Sequence, residues 1–159
     1  HLQVAHYAVE GLIQLGIMRG DSHAAVEQGA YALFFPHGLG HALGLDVHDM
    51  ENFGEDYVGY TDTIKRSEQF GLSALRFAKP LQEGLVLTVE PGIYFIPLLI
   101  EQWRVAGKCK EFINYEALSA YLNFGGVRIE DNIVITADGY DNLSAAIPSE
   151  INAVEAACR

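Results

Sequence analysis

Residues 85–96 read Leu85-Val86-Leu87-Thr88-Val89-Glu90-Pro91-Gly92-Ile93-Tyr94-Phe95-Ile96. A mostly apolar run that ends in a carboxylate and meets Pro-Gly predicts a buried strand over 85–90. Proline has no N–H to give to a ladder, so the strand stops there and an extended path resumes over 93–96. Strand parity sets Glu90 on the face of Thr88 and Val86. A carboxylate on a buried face is costly without a partner, so Glu90 should meet either a cationic side chain in a structural ion pair or a metal ion. Downstream, residues 127–136 give the strongest strand signal in the chain, rich in Ile and Val between Gly125-Gly126 and Asp138-Gly139. Period-two alternation there places Arg128 and Glu130 on one face and Val127 and Ile129 on the other. A salt bridge between Arg128 and Glu130 on a solvated sheet is one reading of that face.

Around these strands the pattern changes period. Leu2, Ala5, Val9, Leu12 and Leu15 form a helical stripe over residues 2–16, ended by Gly16, and a short helix is expected within 22–30. Glycines at 38, 40 and 44 disfavour a helix, so 34–47 should be extended or looped. Residues 50–82 are polar and irregular, with a surface stretch at 65–77. Residues 97–124 form an excursion with helical character, notably 114–121, whose aromatics Trp103, Phe112, Tyr115 and Tyr121 suit packing. Pro148 and a Ser149 cap announce a last helix. Helices come first, strands dominate the middle and no regular βαβ alternation is present, which favours an α+β fold.

The chain has 159 residues, 10 Lys+Arg against 21 Asp+Glu, a formal net charge of −11, and is half apolar. That balance supports a packed core rather than disorder. The acidic excess argues against nucleic acid and against an anionic membrane, both of which are met with clustered Lys and Arg. No apolar run is long enough to span a bilayer. Cys109 and Cys158 cannot form a disulfide framework, which favours a reduced, cytoplasmic setting. There is no initiator Met, and the first helical stripe is already under way at Leu2, so the sequence is expected to be a piece of a longer polypeptide.

Three of six histidines, His37, His41 and His48, fall within the glycine-rich segment Phe35-Pro36-His37-Gly38-Leu39-Gly40-His41-Ala42-Leu43-Gly44-Leu45-Asp46-Val47-His48-Asp49. A lone histidine is most often structural. Three threaded with glycines can converge on one small target, because glycine lets backbone approach closely. His37 and His41 have zincin spacing, but Gly38 stands where that motif needs its Glu. Carboxylates with one imidazole suit Mn²⁺, Co²⁺ or Zn²⁺ in an open hydrolytic site.

Taken in order, Pro36-His37-Gly38-Leu39-Gly40-His41, Asp46-Val47-His48-Asp49, Val89-Glu90-Pro91-Gly92-Ile93-Tyr94 and Arg128-Ile129-Glu130-Asp131 resemble the proline-specific metallopeptidases of pita-bread fold, the Xaa-Pro aminopeptidases and Xaa-Pro dipeptidases (prolidases). The resemblance implies a curved, mostly antiparallel sheet with helices on its outer face. It also implies hydrolysis of the N-terminal Xaa-Pro bond by hydroxide activated at two divalent metal ions, Mn²⁺ first, with Co²⁺ or Zn²⁺ as the other choices. His41, Glu90 and Glu130 are similar to metal ligands, Glu90 also serving as general base and proton shuttle. His48 resembles the histidine that steadies the carbonyl, His37 the one lining the proline pocket, and Arg128 the arginine that orients the acidic site. The family's two upstream aspartate ligands have no counterpart before His37. Residues 1–159 are therefore expected to be the C-terminal part of a catalytic domain whose N-terminal domain and first ligand strands lie elsewhere, weak in metal binding alone and dimeric in full-length form. Peptides with proline second are the implied substrates. The prolidase activity and a non-catalytic binding module of the same fold are the alternatives.

Overall fold

The computed structural model describes residues 1–159, which divide into two compact units. One comprises His1–Leu39, Lys65–Leu75 and Pro91–Arg128; the other comprises Gly40–Ile64, Arg76–Glu90 and Ile129–Arg159.

The first unit carries the hydrophobic core. Helix α1, Leu2–Gln14, turns Ala5, Val9 and Leu12 inward, and Gly16 follows it with φ +70°. Helix α2, Ser22–Glu27, starts at Asp21, whose carboxylate accepts the Ala24 N–H at 2.8 Å and so satisfies one of the donors that a helix start leaves free. A 3₁₀ turn at Ala30–Leu33 follows, and Tyr31, Phe34 and Phe35 are fully buried with Ile17, Met18, Ile113 and Leu118, in one cluster with the buried Trp103 and Phe112. Strand β2, Gly92–Tyr94, pairs antiparallel with β3, Gly126–Arg128, and the Tyr94 N–H donates to the Phe34 carbonyl at 2.8 Å.

The excursion has the helical character expected over 97–124, and its α-helix is α4, Pro97–Ala106, entered through Pro97 in its first turn, where a missing N–H costs nothing, and closed by Gly107 at φ +61°. Residues Ala117–Tyr121 form only a 3₁₀ turn. The excursion's aromatics do pack: Trp103 and Phe112 are buried, and Tyr121 stacks on Phe95 at 4.8 Å.

The second unit is built on a three-stranded antiparallel sheet in the order β1-β4-β5, from Val86–Val89, Asp131–Ile135 and Tyr140–Asn142. Ser144 seals one end, its hydroxyl accepting the Asn132 N–H at 2.9 Å. A short helix α3, Glu55–Gly59, lies in the polar stretch, and α5, Ile151–Ala157, ends the chain with no buried residue. Its cap position is Glu150, without a side-chain hydrogen bond, not the expected Ser149. No helix is long and apolar enough to cross a membrane.

The single strand expected over 127–136 is two. Ile129 and Glu130 belong to neither β3 nor β4, and both are exposed, as is Val127. The partner segment is interrupted as well, by Pro91, so the ladder cannot run unbroken.

Segment 41–43 adds a further extended stretch beside β1: the Thr88 N–H donates to the His41 carbonyl and the Leu43 N–H to the Val86 carbonyl, each at 3.0 Å. The approach at Gly40 is so close that a Cβ there would lie 1.8 Å from the Thr88 carbonyl oxygen. Gly40→Ala is expected to destabilise the chain by about 1–3 kcal/mol in urea unfolding, as overpacking does. Gly139→Ala, where a Cβ meets nothing within 4 Å, should change it by less than about 0.5 kcal/mol.

Candidate metal and substrate residues

The extended stretch at 41–43 and β1 place His41, Thr88 and Glu90 side by side, all buried. The His41 N–H donates to Thr88 Oγ1 at 3.0 Å, and Thr88 Oγ1 donates to Glu90 Oε1 at 3.0 Å. His41 Nδ1 lies 2.9 Å from the Ala42 carbonyl. A carbonyl only accepts, so Nδ1 carries a proton and Nε2 is the ring nitrogen left to face Glu90. That Nε2 lies 3.4 Å from Glu90 Oε1. An imidazole lone pair and a carboxylate oxygen repel at this distance unless a proton or a cation mediates between them.

The His41–Glu90 pair supplies two donors of the kind that hold a divalent cation. The donor set, one imidazole nitrogen and one carboxylate oxygen, suits Mn²⁺, Co²⁺ or Zn²⁺. The other ring nitrogen is committed to a backbone carbonyl, the arrangement that fixes tautomer and ring orientation at metal-ligating histidines. A third ligand is not gathered: no group of three or more His, Cys, Asp or Glu is arranged to hold a metal ion. Glu130 is exposed. It lies in the gap between β3 and β4, one residue beyond the Val89–Asp131 pair, outside any ladder.

His48 packs edge-on against His41 with ring centroids 4.3 Å apart. Its Nδ1 is 3.8 Å from Glu51 Oε2, the oxygen that Arg76 also binds, and Arg76 lies 3.6 Å from Glu55 as well. His48 is therefore half exposed beside a carboxylate that an arginine holds in place.

His37 and Arg128 lie in the other unit, joined through Tyr94. Arg128 Nε donates to the Tyr94 hydroxyl at 2.7 Å. His37 Nδ1 donates to the Gly38 carbonyl at 2.7 Å, so its neutral ring accepts from the Tyr94 O–H through Nε2 at 3.2 Å. The chain Arg128–Tyr94–His37 orients both predicted residues with one phenol.

Sequence reasoning assigned no role to Thr88, Glu51, Arg76 or Tyr94. Thr88 had a signal, as the only hydroxyl in an apolar strand run. Glu51 stands three residues beyond His48, which marks it only if that stretch turns. Arg76 had none, and Tyr94, though it closes the Val89–Tyr94 motif, had no signal for its role because its partners are distant in sequence.

Residues 2–137 match the profile of metallopeptidase family M24. The chain is 41% identical over 155 residues to a probable Xaa-Pro aminopeptidase of Aspergillus clavatus, covering 98% of this chain and 31% of that protein. It is 42% identical over 148 residues to the Xaa-Pro dipeptidase of Homo sapiens, covering 93% of this chain and 28% of that one. Among solved structures, aminopeptidase P from E. coli with the inhibitor Pro-Leu superposes with a TM-score of 0.63 at 34% identity, over 98% of this chain and 27% of that chain. The chain thus belongs to metallopeptidase family M24 and has the pita-bread fold of the Xaa-Pro aminopeptidases and prolidases. It spans under a third of the length of these relatives.

Tyr94→Phe removes the hydroxyl between Arg128 and His37. It should cost about 1 kcal/mol in urea unfolding, with the midpoint lowered and the slope unchanged.

Proposed function

We propose that this chain is the C-terminal part of the catalytic domain of a metal-dependent exopeptidase that hydrolyses the N-terminal Xaa-Pro bond of peptides. The carrying observation is the buried His41–Glu90 pair, in which the imidazole Nε2 faces a carboxylate oxygen across 3.4 Å. His41, Glu90 and Glu130 would hold the divalent ions, Mn²⁺ by preference. When bound, such ions lower the pKa of water and polarise a carbonyl.

The chain's own residues do the rest. Glu90 accepts the proton of the attacking water and returns it to the imide nitrogen that leaves as proline's amine. His48, steadied by Glu51, donates toward the charge that develops on the carbonyl oxygen. His37 lines the proline side of the substrate, and Arg128, held to His37 through the Tyr94 hydroxyl, is the arginine that orients the acidic site. Retention of the buried pair argues against a purely non-catalytic binding module. The aminopeptidase activity is preferred. The dipeptidase is the second reading, favoured by the 97–124 excursion, which resembles the longer insertion of prolidases, and by the comparable identity to the human dipeptidase. A homodimer and a cytoplasmic location complete the proposal.

The test uses the polypeptide from the complete reading frame that carries these residues. Mn²⁺-dependent hydrolysis of Ala-Pro-Ala identifies an aminopeptidase, and cleavage confined to Ala-Pro identifies the dipeptidase. Glu90→Gln should lower kcat by about 10²–10⁴-fold. No cleavage of either peptide with Mn²⁺, Co²⁺ or Zn²⁺ would reject the peptidase reading. Calorimetry on the 159-residue chain alone should show only weak Mn²⁺ uptake, and tight binding at two sites would contradict the partial ligand set.

A further inference from the structure

The hydroxyl of Thr88 sits between the two groups that face each other across the buried pair. It accepts one hydrogen bond, from the His41 backbone N–H, and donates one, to Glu90 Oε1, both at 3.0 Å. A hydroxyl carries a single proton, and the His41 N–H can only donate, so the direction of the chain is fixed: from the His41 backbone to Thr88, and from Thr88 to Glu90. Thr88 is itself 4% exposed, so water does not substitute for either bond.

We infer that Thr88 is a positioning residue that aims the Glu90 carboxylate and locks it in register with His41. This inference rests on the roles proposed above for Glu90 and His41. Three features of the fold make the coupling rigid. Thr88 lies on β1 and Glu90 is the residue just beyond its end, two positions on, so one hydroxyl reaches one carboxylate at 3.0 Å. A β-branched side chain is stiff about its first torsion, which holds the hydroxyl toward Glu90. The Thr88 backbone N–H also donates to the His41 carbonyl, so residue 88 grips both polar groups of residue 41.

The consequence concerns the lone pairs of Glu90. With one Oε1 lone pair occupied by Thr88, the carboxylate cannot rotate freely, and the direction of Oε1 toward His41 Nε2 is set before any cation or substrate arrives. Valine at 88 would keep the shape and β propensity of the strand. It would leave the buried His41 N–H without its acceptor and remove the hydroxyl that bonds Glu90 Oε1.

The variants are Thr88→Val and Thr88→Ser. Hydrogen exchange on the metal-free 159-residue chain reads the His41 amide directly. Its protection should fall by about tenfold in Thr88→Val and return in Thr88→Ser. In the complete reading frame, the Mn²⁺ dissociation constant of Thr88→Val should rise about 10–100-fold, the cost typical of losing a partner that orients a metal ligand, with serine restoring most of it. For Ala-Pro-Ala, kcat should fall while KM changes little. Unchanged His41 exchange and Mn²⁺ affinity in Thr88→Val would overturn the inference, as would failure of serine to restore either one at an unaltered melting temperature. Should Thr88→Val not fold, a slowly exchanging Thr88 hydroxyl proton in the NMR spectrum of the unsubstituted chain supports the assignment, and its absence overturns it. A wild type that binds no Mn²⁺ and cleaves no peptide defeats the peptidase reading alone, since the exchange measurement still decides whether Thr88 holds His41.

Discussion

The close passage of Gly40 across the carbonyl of Thr88 is the constraint on which the second unit depends. It brings 41–43 into register with β1, and only a residue without a side chain can make it, since a Cβ would fall 1.8 Å from that oxygen. From this passage follow the two backbone bonds that hold His41 and Leu43, the burial of the imidazole and its meeting with Glu90. A glycine that looks like mere flexibility in the sequence therefore acts as a clearance, and the histidine beside it inherits a fixed orientation.

Much of the fold was legible because its signals are local. The stripe from Leu2 to Leu15 marks α1, and the apolar run before Pro91 marks β1, which spans Val86–Val89. Three features were not legible, each for a physical reason. The segment from Val127 to Thr136 has one composition throughout, yet its two halves pair with different strands, and pairing is a long-range property. The excursion's helix begins at Pro97 because proline suits a first turn, whereas the residues from Asn114 onward turn too tightly for an α-helix. At the chain's end, Ser149 has the right chemistry for a cap but stands one residue too early.

At the candidate site, the histidines and glutamates that carry the family resemblance were visible as residue types. Their supports were not. Thr88, Glu51 and Tyr94 matter through where their hydroxyl or carboxylate oxygens end up, and two of these reach partners 34 to 57 residues away in sequence or an arginine 25 residues on. The structure gathers His41 with Glu90 and His37 with Arg128, while Glu130 is exposed and no three-ligand cluster forms. Sequence motifs name the groups that react. The choice of tautomer, as at His41 and His37, is made by neighbouring carbonyls that no motif records.

The outer margin of the three-stranded sheet is only three residues long, Tyr140–Asn142, and has Asp141 at its middle. A long, uncharged rim would be an open template on which another polypeptide could lay down a strand. Brevity and one negative charge make that recruitment unfavourable, so growth of the sheet is checked at this edge. Replacing Asp141 with a neutral β-former would weaken that check, and the first sign would be turbidity on standing rather than any change in the folded chain.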